Sequence, residues 1–197
     1  MRRAFALAVI AWAGVAGADN LLVNPNFDLD PTDPANGWIA VGTGTVEFLG
    51  GVGQPDPPSV RLLATAGQAV TLEQCRPIQG GTPYDFRARS YTSQAIGDAT
   101  NSVALSVFSL EGCSGLLETV ATDLGEFPDW YLRRRHGYVP PLAAASARIE
   151  LASIANSAVD DIYFDSAFLP EPSALAAGLA AWAPLAVLGA RQRRRPT

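Results

Sequence analysis

Apolar and polar residues alternate in short runs between residues 21 and 169, and clusters rich in Gly, Pro, Asn and Asp separate these runs. A repeat of two is typical of β-strands, whose successive side chains point to opposite faces of a sheet. No window shows the apolar repeat of about 3.6 residues that marks an amphipathic helix, so we predict that this region is mostly β. The candidate strands are Leu21–Val23, Trp38–Val41, Thr45–Leu49, Val60–Ala64, Ala69–Gln74, Tyr84–Tyr91, Val103–Leu110, Leu116–Ala121, Trp130–Tyr138, Ala147–Ala152 and Asp161–Leu169.

Turn-forming clusters separate these candidate strands. They include residues 30–34 (Asp-Pro-Thr-Asp-Pro), residues 50–53 (Gly-Gly-Val-Gly) and residues 79–83 (Gln-Gly-Gly-Thr-Pro). Short strands separated by such turns favour a two-sheet sandwich. The sequence shows no internal repeat and no second domain, and the roughly 150 residues from 19 to 169 are the usual size of one domain.

The first 18 residues have the pattern of a secretory signal peptide. Two arginines follow Met1, an apolar run covers residues 4–13, and Ala16-Gly17-Ala18 fits a small-x-small cleavage site. We therefore predict export, cleavage by signal peptidase after Ala18 and a mature chain that begins at Asp19. The alternative is that this segment forms a short buried helix.

Residues 173–190 form an 18-residue stretch without a charged side chain, and an Arg-rich segment at residues 191–195 follows it. At ~1.5 Å per residue a helix of this length covers about 27 Å, close to the ~30 Å of a bilayer core. We predict a transmembrane helix whose Arg cluster stays on the cytoplasmic side. A buried C-terminal helix of the domain is the alternative.

Pro170, Glu171 and Pro172 stand just before this stretch. A Pro-Glu-Pro motif, a hydrophobic helix and an Arg-rich end, in this order over residues 170–197, resemble the PEP-CTERM sorting signal of Gram-negative bacteria. The resemblance implies transient insertion in the inner membrane, processing by an exosortase, and a cell-surface or extracellular location associated with polysaccharide and biofilm. The chain then divides into a signal peptide (1–18), a β-domain (19–169) and a sorting signal (170–197).

The β-domain is acidic. The whole chain has 14 basic side chains, all of them Arg, and 19 acidic ones. Six arginines and Glu171 lie outside residues 19–169, which leaves 8 basic and 18 acidic groups and a formal charge near −10. Such a surface repels phosphate backbones, so we exclude nucleic acid as a partner, and it suits divalent cations. The basic run Arg133-Arg134-Arg135-His136 fits a solvated strand face or, alternatively, an anion site.

The two cysteines, Cys75 and Cys113, are expected to pair because the chain is predicted to be exported. The bond would close a loop of about 38 residues, for which the chain-entropy estimate is roughly 4 kcal/mol of stabilisation. A reactive thiol or a metal ligand is the alternative, although no CxxC motif or histidine cluster accompanies either cysteine.

Four sequence phrases follow one another along the β-domain. They are Asn20–Asp28 with Gly37-Trp38, Gln74 with Gly81–Phe86, Trp130 with Pro141 and Ala147–Leu151, and Val159–Asp165. Together they resemble the CenC-type carbohydrate-binding modules, which have a galactose-binding-like jelly-roll fold. The resemblance implies an all-β jelly-roll sandwich, places Trp38 and Trp130 in the core, and associates the domain with carbohydrate.

The resemblance also implies a structural Ca²⁺. In a jelly roll the first and last strands are neighbours, which would bring Asp28, near the start, and Asp161, near the end, together. Crowded carboxylates need a cation or protons, and oxygen ligands suit Ca²⁺. Asp28 and Asp161 with backbone carbonyls are the candidate ligands, and an ordinary solvated turn is the alternative.

The candidate strand Tyr84–Tyr91 carries a candidate ligand-binding face. Its first, third and fifth residues are apolar or aromatic and fit a core, so the intervening residues face solvent. These outward residues are Asp85, Arg87, Arg89 and Tyr91. Rings stack on sugars, and guanidinium groups bind sugar hydroxyls or the carboxylates of uronic acids, so Arg87, Arg89 and Tyr91 are the candidate glycan ligands. A plain hydrated sheet face is the alternative, and Phe108 and Tyr138 are further candidate surface rings.

Catalytic motifs are missing from the sequence. His136 is the one histidine, and residues 112–116 (Gly-Cys-Ser-Gly-Leu) depart from the GxSxG nucleophile elbow. We therefore expect no enzyme activity, but a non-catalytic, exported surface or matrix protein with weak glycan binding. A purely structural or protein-interaction sandwich without a sugar site is the alternative, and a polysaccharide-active enzyme is a further one.

Overall fold

The computed structural model describes residues 19–92, 99–124, 129–156 and 159–170. Within these residues the chain forms ten strands and one short 3₁₀ helix, Pro34–Asn36. The strands are β1 (Ile39–Gly42), β2 (Thr45–Leu49), β3 (Ser59–Ala64), β4 (Ala69–Pro77), β5 (Tyr84–Thr92), β6 (Ala99–Leu110), β7 (Ser114–Leu124), β8 (Tyr131–Tyr138), β9 (Ser146–Ala155) and β10 (Asp160–Phe168). The predicted all-β architecture is confirmed.

These strands form two five-stranded sheets that pack face to face. The first sheet has the order β1-β4-β9-β6-β7, and the second has the order β2-β3-β10-β5-β8. All pairings are antiparallel. Each sheet therefore buries one face in the sandwich and turns the other outward, and β5 alternates between buried and half-buried side chains over its whole length.

The core lies between the two sheets and contains the largest apolar side chains. Trp38 is fully buried, its ring centroid lies 5.3 Å from that of Phe27, and its indole N–H donates to the backbone carbonyl of Asn24 at 3.1 Å. The predicted core position of Trp38 is confirmed. The other fully buried large side chains are Tyr84, Phe86, Phe164, Leu62, Leu72, Leu105, Ile149, Leu151, Ile162 and Leu169.

The segment before β1 attaches to the end of β10. Asn20 forms an isolated antiparallel bridge with Pro170, and the Leu21 N–H donates to the Leu169 carbonyl at 2.7 Å. The prediction of a strand at residues 21–23 is wrong, because the side chain of Gln74 takes the place of a neighbouring strand. Its Oε1 accepts the Val23 N–H at 2.7 Å, and its Nε2 donates to the Val23 carbonyl at 3.0 Å.

A disulfide joins Cys75 to Cys113, and the predicted pairing is confirmed. Cys75 lies near the end of β4, and Cys113 lies in the turn between β6 and β7. Strand β9 separates β4 from β6 in the first sheet, so the bond ties this end of the sheet together across three strands.

The predicted end segments lie outside the described residues. These are the signal peptide with its cleavage site at Ala18, the motif residues Glu171 and Pro172, the hydrophobic stretch 173–190 and the Arg-rich tail. Among the residues described, no helix is long and apolar enough to cross a membrane.

Candidate functional site

The outer face of the second sheet carries the outward-facing residues of β5, as the alternation of apolar and polar residues in this strand predicted. Arg87, Arg89 and Tyr91 are half-buried on this face, whereas Phe86 and Ala88 lie in the core. The neighbouring strand β10 pairs Tyr163 with Tyr91 and Asp165 with Arg89. Side chains from two central strands are therefore held side by side on a rigid surface.

Tyr91 stands in the middle of a row of aromatic rings, which we call the aromatic row. Its ring centroid lies 5.8 Å from that of Trp130, with the rings stacked, and 5.3 Å from that of Tyr163. The guanidinium carbon of Arg61 lies 5.7 Å from the centre of the Tyr163 ring. The row therefore crosses the sheet from the start of edge strand β8 through β5 and β10 to β3.

Trp130 departs from the expected core position. It precedes edge strand β8, in which Leu132 pairs with the outward-facing Arg89, so alternation directs Trp130 outward as well. Its side chain is half-buried against Tyr91 on the outer face. Sequence reasoning missed it because a tryptophan is ordinarily a core residue, and its place beside Tyr91 depends on the register of β8.

A pocket of about 300 Å³ opens on the same outer face. Its lining residues are Asn20, Asn26, Arg87, Arg89, Leu132, Ser166, Ala167 and Phe168. The pairing of β10 with β5 shifts register between Asp165 and Phe168, and Ser166 adopts the left-handed conformation with φ of 52°. The resulting β-bulge, together with the attached segment that contains Asn20, forms the wall of the pocket.

Two guanidinium groups reach this pocket. The guanidinium carbon of Arg87 lies 4.4 Å from the centre of the Phe168 ring, and Arg89 donates through Nη1 to Oε1 of Gln54 at 3.2 Å. Neither arginine forms an ion pair with a carboxylate in the described part of the chain. The ion pairs found there involve Arg61, Arg148 and His136 instead.

Asp165 is buried, and it is the residue of β10 that pairs directly with Arg89 of β5. Its two oxygens accept the backbone N–H of Gln54 at 2.7 Å and that of Ser166 at 2.6 Å. Burial raises the pKa of Asp165 above its ordinary value, although both N–H donors and the charge of Arg89 act against this. Asp165 therefore fixes the loop and the bulge that surround the pocket.

The structure does not bring Asp28 and Asp161 together. Asp161 lies at the start of β10 and forms an ion pair with Arg61 at 2.8 Å, whereas Asp28 is exposed. Pro25, close to Asp28, accepts a hydrogen bond from the Ala167 N–H near the other end of β10, roughly 20 Å along the strand from Asp161. The two residues therefore do not fit the predicted calcium site.

Calcium dependence itself stays a prediction. Within the described ranges there is no group of three or more His, Cys, Asp or Glu side chains that could hold a metal ion. Melting of the protein with Ca²⁺ and with a chelator tests the prediction, because a ligand that binds only the folded state stabilises it.

The basic run lies on edge strand β8, as predicted for a solvated face. Arg134, Arg135 and His136 are exposed. Asp85 accepts the Gly137 N–H at 2.7 Å and lies 2.9 Å from Nδ1 of His136. The Gly137 N–H is the main cause of the lowered pKa of Asp85, and His136 adds to it.

The outer face of the first sheet is built differently, around one arginine that pairs with two carboxylates. Arg148 lies 3.1 Å from Glu73 and 2.9 Å from Glu150, and Ser106 donates to Glu150 at 2.6 Å. Burial is the main cause of the raised pKa of Glu73. Phe108, expected as a surface ring, is buried beneath Arg148.

The last predicted surface ring, Tyr138, is half-buried. Its hydroxyl donates to Glu118 at 2.5 Å, and burial together with this carboxylate raises its pKa. Of the three predicted surface rings, Tyr91 alone belongs to the aromatic row.

Solved structures of other proteins share this sandwich. A family 16 carbohydrate-binding module gives a TM-score of 0.58 and 16% identity over 77% of this chain and 100% of its own. A family 61 carbohydrate-binding module, solved in complex with β-1,4-galactotriose, gives a TM-score of 0.55 and 16% identity over 78% of this chain and 99% of its own. The enzymatically active domain of bacteriophage CBA120 tailspike protein 4 gives a TM-score of 0.60 and 15% identity over 77% of this chain, which spans 21% of that structure.

No protein-family model matches the sequence, and no curated protein sequence matches it. At identities this low, the likeness establishes the β-sandwich fold, and function has to be argued from the site. The similar structures include carbohydrate-binding modules and an enzyme domain, so the fold accommodates both kinds of protein.

Proposed function

We propose that the β-domain is a non-catalytic glycan-binding module and that the glycan lies on the outer face of its second sheet. The observation that carries this proposal is the aromatic row of Trp130, Tyr91 and Tyr163. Aromatic rings bury large areas against apolar groups, and the row presents half-buried rings on a rigid sheet. The fold likeness to carbohydrate-binding modules supports the same class of ligand.

The outer face of the first sheet is less suited to a ligand, which supports the choice of the second sheet. Its outer carboxylates and its central arginine are already paired within 3.1 Å, and its largest outward ring is covered by that arginine. A ligand there would first have to break these contacts. The second sheet has a pocket and an aromatic row next to each other, which is the combination of a polar and an apolar subsite that oriented binding needs.

We further propose that the protein is exported and sorted to the cell surface or the extracellular matrix. The signal-peptide pattern of residues 1–18 and the Pro-Glu-Pro motif with its hydrophobic stretch support this route. Its processing partners are then signal peptidase and an exosortase, insertion in the inner membrane is transient, and the ligand is an extracellular polysaccharide. Mass analysis of the protein from cells tests the route, since a chain that keeps residues 1–18 or its terminal arginines contradicts it.

The binding proposal is tested with the full chain in a sugar-free detergent, screened on a glycan array and then by calorimetry. We expect Tyr91→Ala to weaken binding by about tenfold, because stacking contributes on the order of 1 kcal/mol or more per ring. Tyr131→Ala is the matched control, since Tyr131 is exposed and pairs with Ser90, which faces the interior side of the sheet.

The outcomes of this experiment are distinct. Loss of affinity in Tyr91→Ala with retention in Tyr131→Ala supports the aromatic row as the site. Wild-type protein that binds no glycan supports the structural or protein-interaction role instead. Cleavage of a polysaccharide by the wild-type protein contradicts the non-catalytic assignment.

A further inference from the structure

The pocket beside the aromatic row is positively charged in an otherwise acidic domain. Two of the eight arginines of residues 19–169 line it, although acidic side chains outnumber arginines there by 18 to 8. No Asp or Glu lines the pocket. The lining therefore combines two positive charges with no carboxylate.

Arg87 has unused hydrogen-bonding capacity. A guanidinium group has five N–H donors. Within the described residues, the contact of the Arg87 guanidinium is the face of the Phe168 ring, and this contact takes none of these donors in a hydrogen bond. Stacked and half-buried in this way, Arg87 presents its N–H edge without the freedom of a surface arginine.

Arg89 is also incompletely satisfied. It donates one hydrogen bond to Gln54, and it pairs in register with Asp165, whose pKa is raised by burial and in smaller part lowered by the charge of Arg89. Both oxygens of Asp165 already accept backbone N–H groups of the loop and the bulge. Asp165 therefore orients the wall of the pocket while the remaining donors of Arg89 stay available.

The other polar side chains of the pocket are Asn20, Asn26 and Ser166, whose hydroxyl donates to Asp165 at 3.3 Å. The amide of Asn20 is engaged at both of its atoms, because Nδ2 donates to the Ala167 carbonyl at 2.9 Å and Oδ1 accepts the N–H of Leu22 at 3.2 Å and that of Leu169 at 3.0 Å. Asn26 is exposed, and its amide offers both donor and acceptor groups. The free polar groups of the pocket are thus mainly donors, and a donor-rich site suits an anion.

We propose that this pocket binds the carboxylate of an acidic sugar, a uronic acid residue of the glycan whose neighbouring sugar lies on Tyr91. The inference rests on the proposed function and adds the charge class of the ligand. Planar guanidinium groups match carboxylates through paired hydrogen bonds. The volume of about 300 Å³ is at the small end for ligand pockets and suits one sugar unit.

The spacing along β5 connects the pocket to the aromatic row. Outward residues two positions apart on a strand are about 7 Å from each other. Arg87, Arg89 and Tyr91 are three such residues in succession on β5. One chain of sugars can therefore place an acidic unit between the arginines and its next unit on the ring of Tyr91.

The test compares an oligogalacturonate with a neutral galacto-oligosaccharide of the same length, by calorimetry on the full chain in a sugar-free detergent. We expect the acidic ligand to bind more tightly and to lose affinity as salt is raised, because its charge is screened. Arg87→Gln and Arg89→Gln should each weaken binding of the acidic ligand by about tenfold or more and weaken binding of the neutral ligand by a clearly smaller factor.

Arg135→Gln is the matched control, since it removes the same charge from an exposed residue that pairs with the inward-facing Phe86. Arg89→Lys keeps the charge without the planar fork and should fall between wild type and Arg89→Gln. The melting temperature of each variant shows whether it is folded.

The results separate this inference from the proposed function. If the acidic and neutral ligands bind equally and the arginine variants affect neither, the charge preference is refuted while glycan binding stands. If Arg135→Gln weakens binding of the acidic ligand as much as Arg89→Gln does, the preference arises from the overall charge of the protein, and the proposed binding in the pocket is refuted. If neither ligand nor any glycan on the array binds, the proposed function falls and this inference falls with it.

Discussion

The two tryptophans of the described residues illustrate how position decides the role of a residue. Trp38 is fully buried and donates its indole N–H to the backbone, whereas Trp130 is half-buried on an outer face. The sequence suggested a core role for both. The difference follows from the strands that hold them, because Trp130 leads into an edge strand whose outward residues continue the same face.

These roles predict opposite effects of truncation. We expect Trp38→Ala to reduce the free energy of unfolding by about 3–5 kcal/mol, the usual cost of emptying a large core site. Trp130→Ala should cost less than about 1.5 kcal/mol in stability and should weaken glycan binding by about tenfold. Urea unfolding and calorimetry measure the two effects, and equal losses of stability in both variants would contradict the assignment of Trp130 to the surface.

Gln74 is the residue on which the opening segment depends. Its amide binds both the N–H and the carbonyl of Val23 and is 3% exposed. We expect Gln74→Ala to reduce the free energy of unfolding by about 2 kcal/mol, because it leaves two backbone groups unpaired. Gln79→Ala, at an exposed position, is the control for urea unfolding. A loss below about 0.5 kcal/mol in Gln74→Ala would mean that this segment does not depend on the amide.

At the scale of elements, alternation predicted most of the strands and the two faces of β5. It did not predict the pocket. The pocket depends on the bulge at Ser166 and on the attachment of Asn20 to Pro170, residues that lie 150 positions apart. Strand pairing at such separation is set by tertiary packing rather than by a local pattern. For the same reason the sequence did not show which part of β10 lies near Asp28, and the structure does not bring Asp28 close to Asp161.

The edge strand β8 is held to β5 at a second bulge, where Asp85 accepts the Gly137 N–H. This bond and His136 lower the pKa of Asp85, so its contribution to stability is present above the ordinary pKa of 3.8 and is lost as the pH falls through the lower, folded value. We expect Asp85→Asn to lower the urea midpoint at pH 7, by an amount that shrinks at acid pH. The effect is small, on the order of 0.5 kcal/mol, because Asp85 is half exposed. A difference from wild type that grows at acid pH would contradict this sign.

The disulfide acts on the first sheet. We expect the double variant Cys75→Ser, Cys113→Ser to lose roughly 4 kcal/mol in the free energy of unfolding, from the entropy of the loop of 38 residues that the bond closes. Glycan affinity should stay within about twofold of wild type where the variant is folded, since the proposed site lies on the other sheet. Urea unfolding measures the stability and calorimetry the affinity. Unchanged stability, or loss of glycan binding in the folded variant, would contradict the assignment of the disulfide to the first sheet and of the glycan site to the second.

At the scale of the whole molecule, the two outer faces of the sandwich have different chemistry. One face pairs its charges internally, and the other combines a row of rings with a pocket of unpaired guanidinium groups, within the described residues. The two arginines of the pocket, in a domain with an excess of acidic side chains, suit the anionic sugar that we propose as the ligand. The sequence patterns at both ends fit the proposed export of this domain to the outside of the cell.

The most direct test of the site is a map of the ligand on the folded protein by nuclear magnetic resonance. The ¹⁵N-labelled full chain is titrated with an oligogalacturonate, and the indole Nε1–H signals are assigned with Trp130→Phe. We predict that the signals of Trp130 and of the β5 amides at Arg89 and Tyr91 shift while that of Trp38 does not. Shifts confined to the face around Arg148, on the first sheet, would contradict the account.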